Sequence, residues 1–126
     1  MPNWRDILKS HAITFDRAGD AASGNVSYTT NGKPVAIIFL SHNTVSGVEA
    51  SIGLCDSALN QYCQENLGGV TLPISNVAVS FNDAGAGTDL QRGVVSSMDS
   101  NGFTITWTKT GSPGAELLTI FALVLF

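Results

Sequence analysis

Charge is what this chain has least of. Asp, Glu, Lys and Arg make up 13% of its 126 residues, against about 25% in an ordinary soluble domain. Six Lys and Arg face ten Asp and Glu, for a formal net charge of −4. No basic stripe exists to neutralise phosphates, which argues against direct nucleic-acid binding. Cysteine is scarce too. Cys55 and Cys63 sit eight apart and, in a reducing compartment, read as free thiols rather than a bridge. No second Cys pair or nearby His completes four ligands, so no metal site is expected. A membrane-spanning run of about 20 apolar residues is missing. Met1 to Asp6 lacks the basic start and apolar stretch of a secretory signal, so synthesis and retention in the cytoplasm are expected.

Catalytic signatures are equally thin. Nucleophilic and acid–base catalysis need a positioned base, a nucleophile or paired carboxylates. The two histidines, His11 and His42, read as a hinge and a surface residue. The serines show no G-x-S-x-G elbow. Asp83 and Asp89 flank a glycine-rich loop, but the intervening positions lack the oxygen-bearing side chains of a calcium loop. A non-enzymatic chain without a cofactor is the expectation.

What the chain has is apolar alternation and turn residues. Residues 1–11 stand apart: Trp4, Ile7 and Leu8 fall at i, i+3 and i+4, one helical face, which suits a short helix or a docking arm. From residue 12 the period changes to two. Ile13 and Phe15 open a first strand, and Asn25 to Thr29 form a second before the tight-turn pair Asn31-Gly32. Val35 to Leu40 is a continuous apolar run, expected as a central strand covered on both faces. Val48, Ala50, Ile52 and Leu54 alternate with Glu49, Ser51, Gly53 and Cys55, which predicts a half-buried strand. Asp56 to Gly69 reads either as one helical turn or as a long loop carrying Tyr62.

Val77, Val79 and Phe81 alternate again, and Leu90 to Met98 reads as a strand. Ser100-Asn101-Gly102 then turns the chain into Phe103, Ile105 and Trp107 on one face. The final run, Leu117 to Phe126, has nine apolar residues in ten and no charge. Water would penalise its exposure by about 25 cal/mol per Å², so it should lie in the core or against copies of the same chain. The sum is seven or eight strands at roughly 10-residue spacing, the pattern of a single antiparallel all-β sandwich, jelly-roll or similar, over residues 12–126.

Two segments carry a family resemblance. Ile13 to Leu40 (ITFDRAGDAASGNVSYTTNGKPVAIIFL) and Asn101 to Phe126 (NGFTITWTKTGSPGAELLTIFALVLF) resemble small β-sandwich proteins of tailed-phage virions, some close to the H-type lectin fold. The resemblance implies a homotrimer that decorates and cements the capsid. The other role it implies is a tail-fibre or lectin-like module that binds a host receptor or carbohydrate. On the first reading the arm residues Trp4, Arg5, Ile7 and Leu8 dock on the major capsid protein. Localisation is then the capsid surface, after synthesis in the host cytoplasm, with no membrane or nucleic acid as partner.

Candidate interface residues follow from the same reading. Asp16 and Arg17 form either an inter-subunit ion pair or a solvated turn, surface pairs being worth only ~0–1 kcal/mol. Arg92 either crosses a subunit boundary, where Arg is enriched, or points to solvent. Leu117, Ile120, Phe121 and Phe126 are the candidate contacts of the last strand. Asp56, Asn60 and Tyr62 are the candidate ligand loop of the glycan-binding alternative.

Overall fold

A computed structural model of the chain describes residues 9–43, 49–67, 69–83 and 89–126. Among these residues every regular element is a strand. In chain order they are β1 (Ser10–Ala18), β2 (Gly24–Thr29), β3 (Ala36–Asn43), β4 (Glu49–Asp56) and β5 (Gln61–Leu67). β6 (Val70–Ser75), β7 (Val79–Asp83), β8 (Asp89–Asp99), β9 (Gly102–Thr110) and β10 (Leu117–Leu125) follow. A six-stranded sheet has the order β1-β10-β3-β4-β5-β6, and a four-stranded sheet has the order β2-β9-β8-β7. Every pairing is antiparallel. The architecture is therefore the expected all-β sandwich, with ten strands rather than seven or eight. The two extra strands are β5, which replaces the helical turn or long loop expected over Asp56 to Gly69, and β6, which follows it in a segment with no assigned strand.

The core lies between the sheets. Phe103, Ile105 and Trp107 of β9 point into it at 1% exposure or less, as their alternation with Thr104, Thr106 and Thr108 requires. Opposite them sit Ile37 and Phe39 of β3 and Leu118, Ile120, Ala122 and Val124 of β10. An aromatic ladder joins the layers. The Phe15 and Tyr28 rings stack at 3.9 Å, Tyr28 and Phe103 at 5.3 Å, and Phe39 meets Phe103 edge-on at 5.9 Å. Such pairs add about 0.5–1.5 kcal/mol each beyond area burial.

Two glutamines, the half-buried Gln61 and the buried Gln91, fix the sheets to each other. Gln61 of β5 donates from Nε2 to the Val95 carbonyl (3.0 Å) and accepts from the Val95 amide at Oε1 (2.8 Å). It thereby supplies backbone partners beside the register shift of β8 between Val95 and Ser97, where a bulge interrupts the ladder. Gln91 of β8 donates to the carbonyls of Gly19 (2.8 Å) and Ala21 (2.6 Å), holding the connection from β1 to β2. That connection and the one through Asn31-Gly32 both pass from one sheet to the other, so Asn31-Gly32 serves a crossing and not a hairpin.

Several sequence expectations change here. Ser10 and His11 belong to β1 and not to an arm, because Ser10 and His11 pair with Leu125 and Val124. Trp4, Arg5, Ile7 and Leu8 lie outside the described residues. In β4 the phase is the reverse of the amphipathic reading. Ser51, Gly53 and Cys55 are buried while Ile52 and Leu54 stand outside. The reason is the close approach of β7. A Cβ on Gly53 would lie 1.7 Å from the Ala78 carbonyl oxygen, and the Ser80 amide donates to Ser51 Oγ at 3.3 Å. Only small residues fit beneath that edge, so the large side chains of β4 are forced to the other face.

This contact makes a direct prediction. Gly53→Ala must push the chain at Ala78 and β7 away from β4, and overpacking of this kind costs about 1–3 kcal/mol. The urea midpoint should fall by that free energy divided by the m-value, whereas an unshifted midpoint would contradict the packing described.

Candidate self-association face

The outer face of the six-stranded sheet is where the unburied apolar surface collects. Cross-strand register aligns it into two rows. One row runs Leu123, Ile38, Leu54 and Tyr62 across β10, β3, β4 and β5. The next runs Phe121, Leu40 and Ile52 and ends on Gln64. Exposure is 48% at Phe121, 49% at Leu40, 55% at Ile52 and 52% at Leu54. Fully burying such a side chain is worth about 1.5–3 kcal/mol, so each of these leaves about 1 kcal/mol unrealised in the isolated chain.

The band is bounded by polar residues. On one side Asp16, Thr119, His42, Ala50, Asn66 and Thr71 form the next row. Asp16 accepts from the Thr119 hydroxyl at 3.0 Å. At the far end of β4, Asp56 accepts from the amides of Ala58 and Asn60, both at 2.9 Å, and from the Asn60 side chain at 3.0 Å. These bonds, Asn60's side-chain bond first, hold the Asp56 carboxyl below its ordinary range. The two apolar rows between these borders carry no charge. Six strands at ~4.8 Å spacing, of six to nine residues at ~3.4 Å each, give a face of roughly 800 Å². That matches the share each partner gives to a standard interface, about 800 Å².

The candidate site residues distribute unevenly over this geometry. Leu117 and Phe121 lie on the outer face, at 43% and 48% exposure. Ile120 does not: it is 0% exposed in the core, because it falls in the opposite phase of β10. Phe126 packs partly against the core. Asp16 and Arg17 point to opposite faces of β1 and form no pair. Arg17 donates to the Ala22 carbonyl at 2.6 Å and lies 5.1 Å from the Trp107 ring centroid. Its burial lowers its affinity for a proton, with the Tyr28 hydroxyl opposing that shift. Arg92 is half-buried at the β7 side of the sandwich and does not reach the outer face. Asp56 and Asn60 serve their own turn, while Tyr62 sits on a strand beside Leu54 as part of the apolar band. Ile38, Leu40, Ile52, Leu54 and Leu123 were not among the candidates. Their signal was present as alternation, but with size taken as the mark of the buried face.

Beneath the face lie the buried ionisable groups. Cys55 and Cys63 are free thiols, and burial pushes each up to about 11. Both are thus protonated and inert as nucleophiles at neutral pH. Among the described residues no three His, Cys, Asp or Glu converge as metal ligands. Glu65 is 2% exposed, and neither carboxylate oxygen has a hydrogen-bond partner. Burial raises its proton affinity above the ordinary 4.5, Glu49 adds to this, and the Ser80 hydroxyl and Arg92 guanidinium pull it back.

Comparison with protein-family models, with curated proteins and with solved structures gives no match.

Glu65 yields a pH prediction. Its native carboxyl holds a proton that the unfolded chain releases near 4.5, so its contribution favours the fold in acid and is lost as pH rises through the elevated native value. The urea midpoint of Glu65→Gln relative to the unmodified chain should therefore be higher at pH 7 than at pH 4. An equal difference at both values would contradict the burial argument.

Proposed function

We propose that this chain is a non-enzymatic structural subunit that works by assembling with copies of itself. In line with the resemblance of its two long segments, we place it as a homotrimeric decoration protein that cements the capsid of a tailed phage. The observation that carries the assembly reading is the uncharged apolar band on the outer face of the six-stranded sheet. A patch of this kind marks an interaction surface in a soluble protein. The number three and the capsid come from the resemblance. The low charge of the chain favours both, since copies packed on a shell repel one another less.

In this mechanism the sandwich is the knob. Copies meet through Phe121, Leu40, Ile52 and Leu54, and the hydroxyl-rich outer face of the four-stranded sheet stays in water. That second face carries Asn25, Ser27, Thr104 and Thr106, which bond to one another at 2.8 and 3.0 Å. The segment with Trp4, Arg5, Ile7 and Leu8 reaches the major capsid protein, aromatic residues being the strongest anchors of an interface. Cementing follows from area: each contact across a capsomer joint must be broken before the shell opens.

The test is the solution mass by light scattering of the full chain and of Leu40→Glu/Ile52→Glu. Both positions are exposed in the single chain, so the fold should persist by circular dichroism. Burying an unpaired charge at an interface costs several kcal/mol. The full chain should have three times the chain mass and pellet with undecorated heads, and the double variant should be monomeric. A monomeric full chain, or a variant that keeps the trimer, would contradict the proposal.

A further inference from the structure

A cleft of about 630 Å³ opens at the end of the sandwich where β1, β10 and the crossing from β2 to β3 meet. Lys9, His11, Asn31, Lys33 and Phe126 line it. Its volume falls in the ordinary range for small-molecule sites, about 300–1,000 Å³. Its charge runs against the rest of the chain. Acidic residues outnumber Lys and Arg ten to six, yet none of the lining residues is acidic.

The use made of each cation sharpens the contrast. Arg17 donates to the Ala22 carbonyl and covers Trp107. Arg92 acts on Glu65, and Lys109 donates from Nζ to the Asp20 carbonyl at 3.4 Å. Among the described residues, Lys9 and Lys33 are the two cationic side chains with no protein group engaged, and both line this cleft. His11 also lines the cleft, with its Nδ1 buried out of an occupant's reach.

We propose that this cleft binds a small oxyanion, a phosphate or carboxylate, carried on an aromatic or aliphatic group. Lys9 and Lys33 neutralise the charge, and the Asn31 amide gives a directed hydrogen bond. The Phe126 ring, which Gly32 approaches closely enough that a Cβ there would touch it at 3.6 Å, supplies the apolar wall. The two ammonium groups set charge selectivity without fixing geometry, as point-like cations do, and the ring separates a substituted oxyanion from a bare one. The site lies apart from the apolar band on the outer face, so it stands whether or not that band joins copies.

The experiment is an amide NMR titration of the full chain with phenyl phosphate, benzoate, inorganic phosphate and phenol, each to about 10 mM, ten times a millimolar Kd. Phenyl phosphate or benzoate should shift the amides of Ser10, His11 and Lys33, with at least tenfold tighter binding than inorganic phosphate. Phenol, which has the ring without the charge, should leave them in place. Lys9→Ala/Lys33→Ala removes two exposed side chains, so its spectrum should stay folded while affinity falls at least tenfold. Absence of shifts with either substituted oxyanion would overturn the proposal. So would equal binding by the double variant, or equal shifts with phenol.

Discussion

A sheet with apolar side chains on both faces needs two covers, and this chain supplies one. The four-stranded sheet closes the inner face of β10, β3 and β4, where Ile37, Phe39, Ile120 and Val124 reach 0% exposure. The outer face of those same strands keeps Leu40, Ile52, Phe121 and Leu123 at 41% to 55% exposure. The hydrophobic effect acts on area regardless of which face bears it, so the structure of one chain leaves a driving force unspent. The assembly we propose through that face would answer the imbalance.

The imbalance has a local cause in how the inner face is filled. The β7 edge of the four-stranded sheet seats directly on β4, over Gly53 and beside Ser51. Space there admits no large side chain, so Ile52 and Leu54 take the outer phase. Polar groups drawn into the same region are met by the chain itself. Ser41 and Ser51 bond at 2.6 Å, and Asn43 Nδ2 donates to Glu116 at 2.5 Å and to Glu49 at 3.3 Å. Glu65, Ser80 Oγ and Arg92 Nε are exceptions, and the raised proton affinity of Glu65 follows from its position. Close contact between the sheets, glutamine staples and an uncovered outer face are thus consequences of one packing arrangement.

Much of the fold was legible because its largest side chains obey alternation. Phe103, Ile105 and Trp107 could be assigned to the core from period two alone, and so could Val79 and Phe81. Leu117 to Phe126 announced a strand needing cover on both sides, and its dual phase, Ile120 inward and Phe121 outward, bears that out on the inner side. β5 was not legible, since Gln61, Tyr62, Gln64, Glu65 and Asn66 carry no apolar period. It forms because Cys63 is buried in the sandwich and Gln61 bonds to Val95 of the other sheet. The residues of the proposed interface were only half legible. Alternation names two faces, and which of them is the inner one in β4 depends on where β7 lies, a contact of long sequence separation. The cleft at Lys9 and Lys33 was invisible for the same reason, as three distant segments build it.

The most direct test of the account is hydroxyl-radical footprinting of the full chain at micromolar concentration, where oxidation reports the solvent contact of individual side chains. If copies cover the outer face of the six-stranded sheet, Phe121, Leu54 and Tyr62 will be protected nearly as well as the core residue Phe39. If they oxidise as their exposure in the single chain implies, that face is open to water and the assembly reading fails.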